Sequence, residues 1–353
     1  MGDSKDISKE LKTPIFFDED TDLTVLESPI AIIGYGNQGK AQALNLKDSG
    51  LEVIVGNIHD RYWDLAKKDG FEVLEIQEAA ERAKVILLLI PDELQPSIFE
   101  EQIKPALKME KVLCFASGYN ITFETISVPN NIDTVLVAPR MIGKGVREAY
   151  VQGKGFYSFI GIHNDASGNA KDFALAIAKG IGSTRPGGAV LEVTFRQEAE
   201  LDLFNEQCFG PAFGQVLTCA VDVAIEAGYP PEVVLLELYM SGEFAYTAEM
   251  IAKMGTLKQL ELHSPTSQYG SMSRGMRYAS PELREAMQTS LKEIQDGSFA
   301  KEFAAEYEMN LEILDDMKEM AQDIPIVYFD DAVRRKLQRK GKFLRKPSGD
   351  YDV

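Results

Sequence analysis

Three glycines spaced G-x-G-x-x-G, Gly34, Gly36 and Gly39, follow the apolar run Ile30-Ala31-Ile32-Ile33 and open a helix-compatible segment reaching Leu46. In a strand-turn-helix unit the first glycine makes the tight turn, the second lets backbone approach a pyrophosphate, and the third lets helix pack on strand. Amides at the helix start then face the phosphates. Gly34, Tyr35, Gly36, Asn37, Gln38 and Gly39 are therefore candidate dinucleotide-binding positions, the alternative being a glycine turn in an unrelated α/β domain. Asp202 and Glu206 stand four apart, which on a helix places both carboxylates on one face about 6 Å apart. Such a pair suits Mg²⁺, a hard ion that keeps waters and takes a substrate's own oxygens, or is simply a solvated helix face.

These residues need elements to hold them. Strands are expected at Leu51 to Val55, Phe71 to Leu74, Val85 to Ile90, Lys111 to Ala116, Thr134 to Ala138 and Phe156 to His163. Helical stretches at Trp63 to Lys68, Gln77 to Arg82 and Ala166 to Lys179 alternate with them, as in a parallel sheet with crossover helices. Two loops, at Pro91-Asp92-Glu93 and after the fifth strand, fall beyond strand carboxyl ends, where open sheets bind ligands. From about Phe195 the strand-like runs vanish. Long periodic segments at Gln197 to Ala227, Pro231 to Met254, Pro281 to Asp296 and Phe299 to Ala321 predict an all-helical second domain. The expected division is 1–194, 195–330 and a basic tail, 331–353, rich in Arg334, Arg335, Lys336, Arg339, Lys340, Lys342, Arg345 and Lys346 and read as a solvated extension.

Length and charge bound the function. A chain of 353 residues, 45% hydrophobic, can bury two cores of ordinary size. A net charge of -18 opposes nucleic acid and anionic membrane as partners. Cys114, Cys208 and Cys219 lie too far apart for a framework. No apolar run approaches the ~20 residues that span a bilayer, and the start is polar rather than signal-like, so a cytoplasmic protein is expected.

A ribose-binding carboxylate belongs about 20 residues after the glycines. The second strand ends Val55-Gly56-Asn57-Ile58-His59, with Asp60 the first acid and Arg61 beside it. Asp60 would repel a 2′-phosphate and Arg61 could bind one, so NADH is favoured and NADPH remains possible.

The segment G-Y-G-N-Q-G-K-A-Q-A-L-N-L-K-D-S-G resembles the nucleotide-binding opening of ketol-acid reductoisomerases. The likeness extends over roughly residues 15 to 325, through E-L-D-L-F-N-E-Q and I-Q-D-G-S-F-A-K-E-F. It implies a Rossmann-type α/β domain followed by a knotted helical domain through which chains pair, as a homodimer or higher homo-oligomer. It also implies NAD(P)H- and Mg²⁺-dependent reduction of a small carboxylate-bearing substrate, with Asp202, Glu206 and Glu237 as metal ligands. By the same resemblance Ser264 would grip the substrate carboxylate, Arg140 would support charge, Ser117 would stand at a catalytic position that could relay a proton or hold a water, and Gly118 would adjoin the cofactor. Four departures stand out: Ser117 replaces a histidine, Arg140 a lysine, Ser241 the second glutamate of the second metal arm, and Gln268 a glutamate beside the substrate serine. They put the alkyl-migration half of the family reaction in doubt. The full reductoisomerase and a non-catalytic dinucleotide-binding protein are the alternatives.

Overall fold

The computed structural model describes residues 12–26 and 29–337, and its internal contacts divide the chain into two units between Leu201 and Asp202. In the first unit nine strands form one sheet. They are β1 (Ile15–Phe16), β2 (Ile30–Ile33), β3 (Val53–Gly56), β4 (Glu72–Leu74), β5 (Val85–Leu88), β6 (Val112–Phe115), β7 (Asp133–Pro139), β8 (Tyr157–Asn164) and β9 (Ala189–Glu192). Their order is β1-β9-β8-β7-β6-β5-β2-β3-β4. From β4 to β7 every neighbouring pair is parallel, whereas β7 with β8 and β1 with β9 are antiparallel.

The central strands I-A-I-I, V-I-V-G, V-I-L-L and V-L-C-F are apolar throughout because both faces of the sheet are covered. Their alternation assigns Ile30 and Ile32 to one buried cluster and Ala31 and Ile33 to the other. The helices α1 (Asn37–Asp48), α2 (Arg61–Lys68) and α3 (Ile76–Arg82) are the first three crossovers.

The expected strands all form, with ends shifted by one to two residues. Two further strands were not expected. β9, A-V-L-E, follows the glycine-rich stretch Gly182 to Gly188 and ends on an acid, and β1, just before the acidic run Asp18–Asp20, is two residues long, too short for alternation to register. Asp18, just after β1, accepts from Thr184 Oγ1 at 2.7 Å and from Lys179 Nζ at 3.2 Å, tying this end of the chain to the sheet.

Among the described residues after Glu192 there are only helices and turns. Two segments expected to run on are broken. Gly242, at φ +93°, separates the helical turns ending at Met240 from Glu243–Met254. Asn310 and Leu311, both at positive φ, separate Ser298–Glu308 from Glu312–Met320. Residues 331–336, assigned from sequence to a solvated tail, complete the helix Pro325–Lys336: Val333 is buried, and Arg334 donates to Asp330 at 3.0 Å. Arg339, Lys340, Lys342, Arg345 and Lys346 lie outside the described residues.

The helical run Phe195–Glu226 corrects another expectation. An 18-residue window of it has mean hydropathy 1.5, enough by length and composition to cross a membrane, and 11% of that window is buried. Gly, Gln, Thr and the charged Asp222 interrupt the run, so no unbroken apolar stretch marks it in the sequence.

Candidate active site

Each glycine of the turn is explained by its surroundings. Gly34 sits at φ +93°, and a Cβ there would lie 2.5 Å from Ile90 and 2.9 Å from the Leu89 carbonyl. At Gly39 a Cβ would fall 2.0 Å from the Gly34 carbonyl, so the helix could not reach the strand. Gly36 differs: nothing stands within 4 Å of its Cβ position. That open space beside the first amides of α1 is where a pyrophosphate fits, so the residues present suit a dinucleotide.

Other positions expected to bind the cofactor also have partners within the chain. Tyr35 turns its ring into the core, 1% exposed, and donates its hydroxyl to Asp69 at 3.0 Å, an arrangement in which burial pushes the phenol far above its usual range. Its amide donates to Asn57 Oδ1 at 3.2 Å. Asp60 caps α2, its Oδ1 accepting from the amides of Tyr62 at 2.9 Å and Trp63 at 3.2 Å and from Asn57 Nδ2 at 2.8 Å. Arg61 is exposed and donates to the Tyr62 hydroxyl at 2.9 Å. Asn57, which sequence reasoning did not single out, thus fastens the glycine turn to the β3–α2 loop. Its place at the carboxyl end of β3 was the available signal.

The loops after β5, β6 and β7 are joined by hydrogen bonds. Ser117 Oγ donates to Asp92 Oδ2 at 3.2 Å, and Asn120 Nδ2 donates to the Asp92 carbonyl at 3.0 Å. Tyr119 is pushed up to about 12 by burial, with Asp92 adding to the shift. Gly118 does not face open space: a Cβ there would lie 2.2 Å from the Phe195 carbonyl, and its amide donates to Glu198 Oε2 at 2.6 Å. The other oxygen of Glu198 receives Arg140 Nη2 at 2.8 Å. Glu198 is fully buried, and Arg140 also lies over the Phe159 ring, 5.0 Å from its centroid. Sequence reasoning missed Glu198 because a glutamate in the acidic segment Q-E-A-E-L-D looks like a solvated helix face.

The metal candidates are on helical turns of the second unit. Asp202 is half-buried, and Glu206 and Glu237 are exposed. Glu206 lies in the π turn Asn205–Phe209 and Glu237 in the π turn Leu236–Met240. A π turn advances fewer degrees per residue than an α turn, so residues four apart come nearer to vertical alignment, and such turns recur at functional sites. Asp202, on the α-helical turns Phe195–Phe204, and Glu206, four residues further along the same run, are hard-oxygen donors of the kind that suits Mg²⁺. Among the described residues, however, no three His, Cys, Asp or Glu side chains converge, so Glu237 does not join Asp202 and Glu206 within one chain. Ser241 Oγ accepts from the Glu243 amide at 3.3 Å. Ser264 caps the helix Pro265–Gly275, accepting from Ser267 N at 3.3 Å, and Gln268 Nε2 donates to the His263 carbonyl at 2.7 Å.

A mixed, largely parallel sheet with a glycine turn open to a pyrophosphate, followed by a helical unit bearing paired carboxylates, defines a nicotinamide-dinucleotide oxidoreductase with an appended helical domain. The chain belongs to the ketol-acid reductoisomerase family: residues 24–187 match the family model for the acetohydroxy acid isomeroreductase NADPH-binding domain, and residues 195–339 match that for the ketol-acid reductoisomerase C-terminal domain. A Saccharolobus solfataricus protein named putative ketol-acid reductoisomerase 3 is 46% identical over 315 residues, spanning 88% of this chain and 94% of its own. The Methanocaldococcus jannaschii ketol-acid reductoisomerase (NADP(+)) is 40% identical over 340 residues, spanning 95% and 98%. The solved structure of an NADH-preferring ketol-acid reductoisomerase from an uncultured archaeon superposes with a TM-score of 0.86 at 37% identity, covering 91% of this chain and 98% of that one. This chain is accordingly an NAD(P)H-dependent oxidoreductase of the ketol-acid reductoisomerase type.

Proposed function

We propose that this cytoplasmic enzyme uses NADH to reduce the carbonyl of a small 2-oxo acid more effectively than it carries out the alkyl migration of its family. A bound dihydronicotinamide supplies the hydride, and a bound Mg²⁺ polarises the carbonyl oxygen. The chain's own residues do the rest. The turn at Gly34, Gly36 and Gly39 seats the pyrophosphate, Asp202 and Glu206 hold the metal, and Glu237 completes the ligands from a second copy of the chain. Ser264 accepts a backbone amide as a helix cap and retains its hydroxyl proton, which it donates to the substrate carboxylate.

The observation that carries this reading is the Arg140–Glu198 pair, 2.8 Å long with Glu198 fully buried. Where the resemblance places a lysine, this chain has a larger, planar guanidinium in place of a compact ammonium. It is also neutralised by an internal carboxylate. Hydride transfer needs an oriented cofactor and a polarised carbonyl, whereas alkyl migration also needs the adjacent hydroxyl deprotonated and held. Ser117, hydrogen bonded to Asp92, and Ser241, which brings no charge, support the same division. The NADH preference rests on the fixed carboxylate of Asp60, which opposes a 2′-phosphate, and accords with the NADH-preferring structural relative.

With NADH and Mg²⁺, the protein is expected to reduce 2-oxo acids or 3-hydroxy-2-oxo acids faster than it converts 2-acetolactate, and chelation should suppress the reduction. The second reading, a full ketol-acid reductoisomerase of branched-chain amino-acid synthesis, is favoured by the family matches across both domains. Magnesium-dependent conversion of 2-acetolactate at roughly 1 per second or more establishes that reading instead.

A further inference from the structure

Gln38 lies in the first turn of α1, where the glycine motif makes it look like a cofactor contact. The structure engages its side-chain amide at both ends. Nε2 donates to the Met141 carbonyl at 2.9 Å, and Oε1 accepts from Gln42 Nε2 at 3.2 Å. Gln42 is 1% exposed, so the group that orients the Gln38 amide is itself held by packing. The two bonds pull on opposite ends of one planar group, which fixes both its plane and its direction.

Met141 belongs to the loop Arg140–Gly143, which connects β7 to the helix Gly143–Val151. That loop is pressed against the dinucleotide turn at a second point, since a Cβ on Gly143 would lie 2.1 Å from the Asn37 carbonyl. At its near end the Arg140 amide donates to the Tyr157 carbonyl at 2.9 Å. Between these anchors Ile142 stands 71% exposed beside the glycine turn. The loop is thus held at these three places and by the Arg140–Glu198 pair, and the Gln38 bond is the one that runs from a side chain of the cofactor-binding helix.

We propose that Gln38 is a positioning residue: it latches the Arg140–Gly143 loop to the dinucleotide turn, so that Arg140 and Ile142 are set relative to the bound cofactor, and its side chain does not itself contact the dinucleotide. The catalytic arm of this inference rests on the reductase reading above; the latch itself does not.

The test compares the wild-type protein with Gln38→Leu, which removes both bonds at similar size, and Gln38→Glu, which keeps an acceptor for Gln42 but faces the Met141 carbonyl with an oxygen. Three quantities are read: the NADH dissociation constant by fluorescence titration, amide hydrogen exchange in peptides covering residues 140–146, and kcat and KM for NADH in 2-oxo-acid reduction. Losing one such bond should speed exchange in that segment and lower kcat by about three- to tenfold, while NADH affinity and its KM stay within about twofold. A tenfold weaker NADH affinity with unchanged exchange at 140–146 overturns the latch and makes Gln38 a cofactor contact. Unchanged exchange and unchanged affinity together also overturn it. If the wild-type protein reduces none of the 2-oxo acids, the reductase reading fails, while exchange and NADH titration still decide the latch.

Discussion

At the scale of single residues, the glycine turn was readable from sequence because backbone sterics admit few solutions there. Gly36→Val should weaken NADH binding at least a hundredfold by filling the space open above that residue, while the helical unit keeps its circular dichroism; unchanged affinity would sink the assignment. Glu198 was not readable, since nothing in Q-E-A-E-L-D announces which acid is buried. Glu198→Gln removes the carboxylate charge of the Arg140–Glu198 pair, and breaking a buried pair costs about 3 kcal/mol. Urea unfolding should register that loss; a cost below about 1 kcal/mol would mean that water takes over the role of the carboxylate. Gly118 shows what a loop's position in the sheet leaves out, because its amide is already bonded to the same Glu198.

At the scale of elements, strand and helix order was legible where runs were apolar over four residues or more. It failed where an element is made by its neighbours. β1 is two residues long and exists through its pairing with β9 and the contacts of Asp18. The hydrogen bond from Thr184, with the ion pair to Lys179, holds the Asp18 carboxyl below the usual carboxylate range despite partial desolvation. A depressed carboxylate contributes its stability above its unfolded pKa of about 4 and loses it as pH falls through the lower folded value. The side chain is 57% exposed, so the contribution is small. Asp18→Asn should lower stability by about 0.5 kcal/mol at pH 7, and denaturant melts should show the difference disappearing at pH 2 to 3. A difference that persists there would point to packing rather than charge. The breaks at Gly242 and at Asn310–Leu311 escaped periodicity for a related reason: positive φ leaves the spacing of apolar residues on either side intact.

At the scale of the whole molecule, the helical unit has more apolar surface than its own core consumes. Its main buried cluster consists of Val221, Val234, Leu235, Met240 and Val333. On the helical run Phe195–Glu226, Phe209, Val216 and Val223 recur every seventh residue and are 65%, 64% and 61% exposed. A stripe at that spacing lies along one helix face and asks for a partner. The second copy of this chain proposed above would cover it better than lipid, because a net charge of -18 is repelled by anionic headgroups and because, among the described residues, no group of three His, Cys, Asp or Glu side chains forms a metal site within one chain. Both arguments lead to one experiment. The double variant Val216→Glu, Val223→Glu should weaken self-association at least a hundredfold, about 2.7 kcal/mol, as read by sedimentation without detergent. It should lose magnesium-dependent reduction along with the dimer yet keep NADH affinity, since the glycine turn is complete in the first unit. A wild-type protein that sediments as a monomer and partitions onto neutral vesicles would assign the stripe to lipid. A monomeric variant that still reduces its substrate in a magnesium-dependent way would show that one chain supplies every ligand the metal needs.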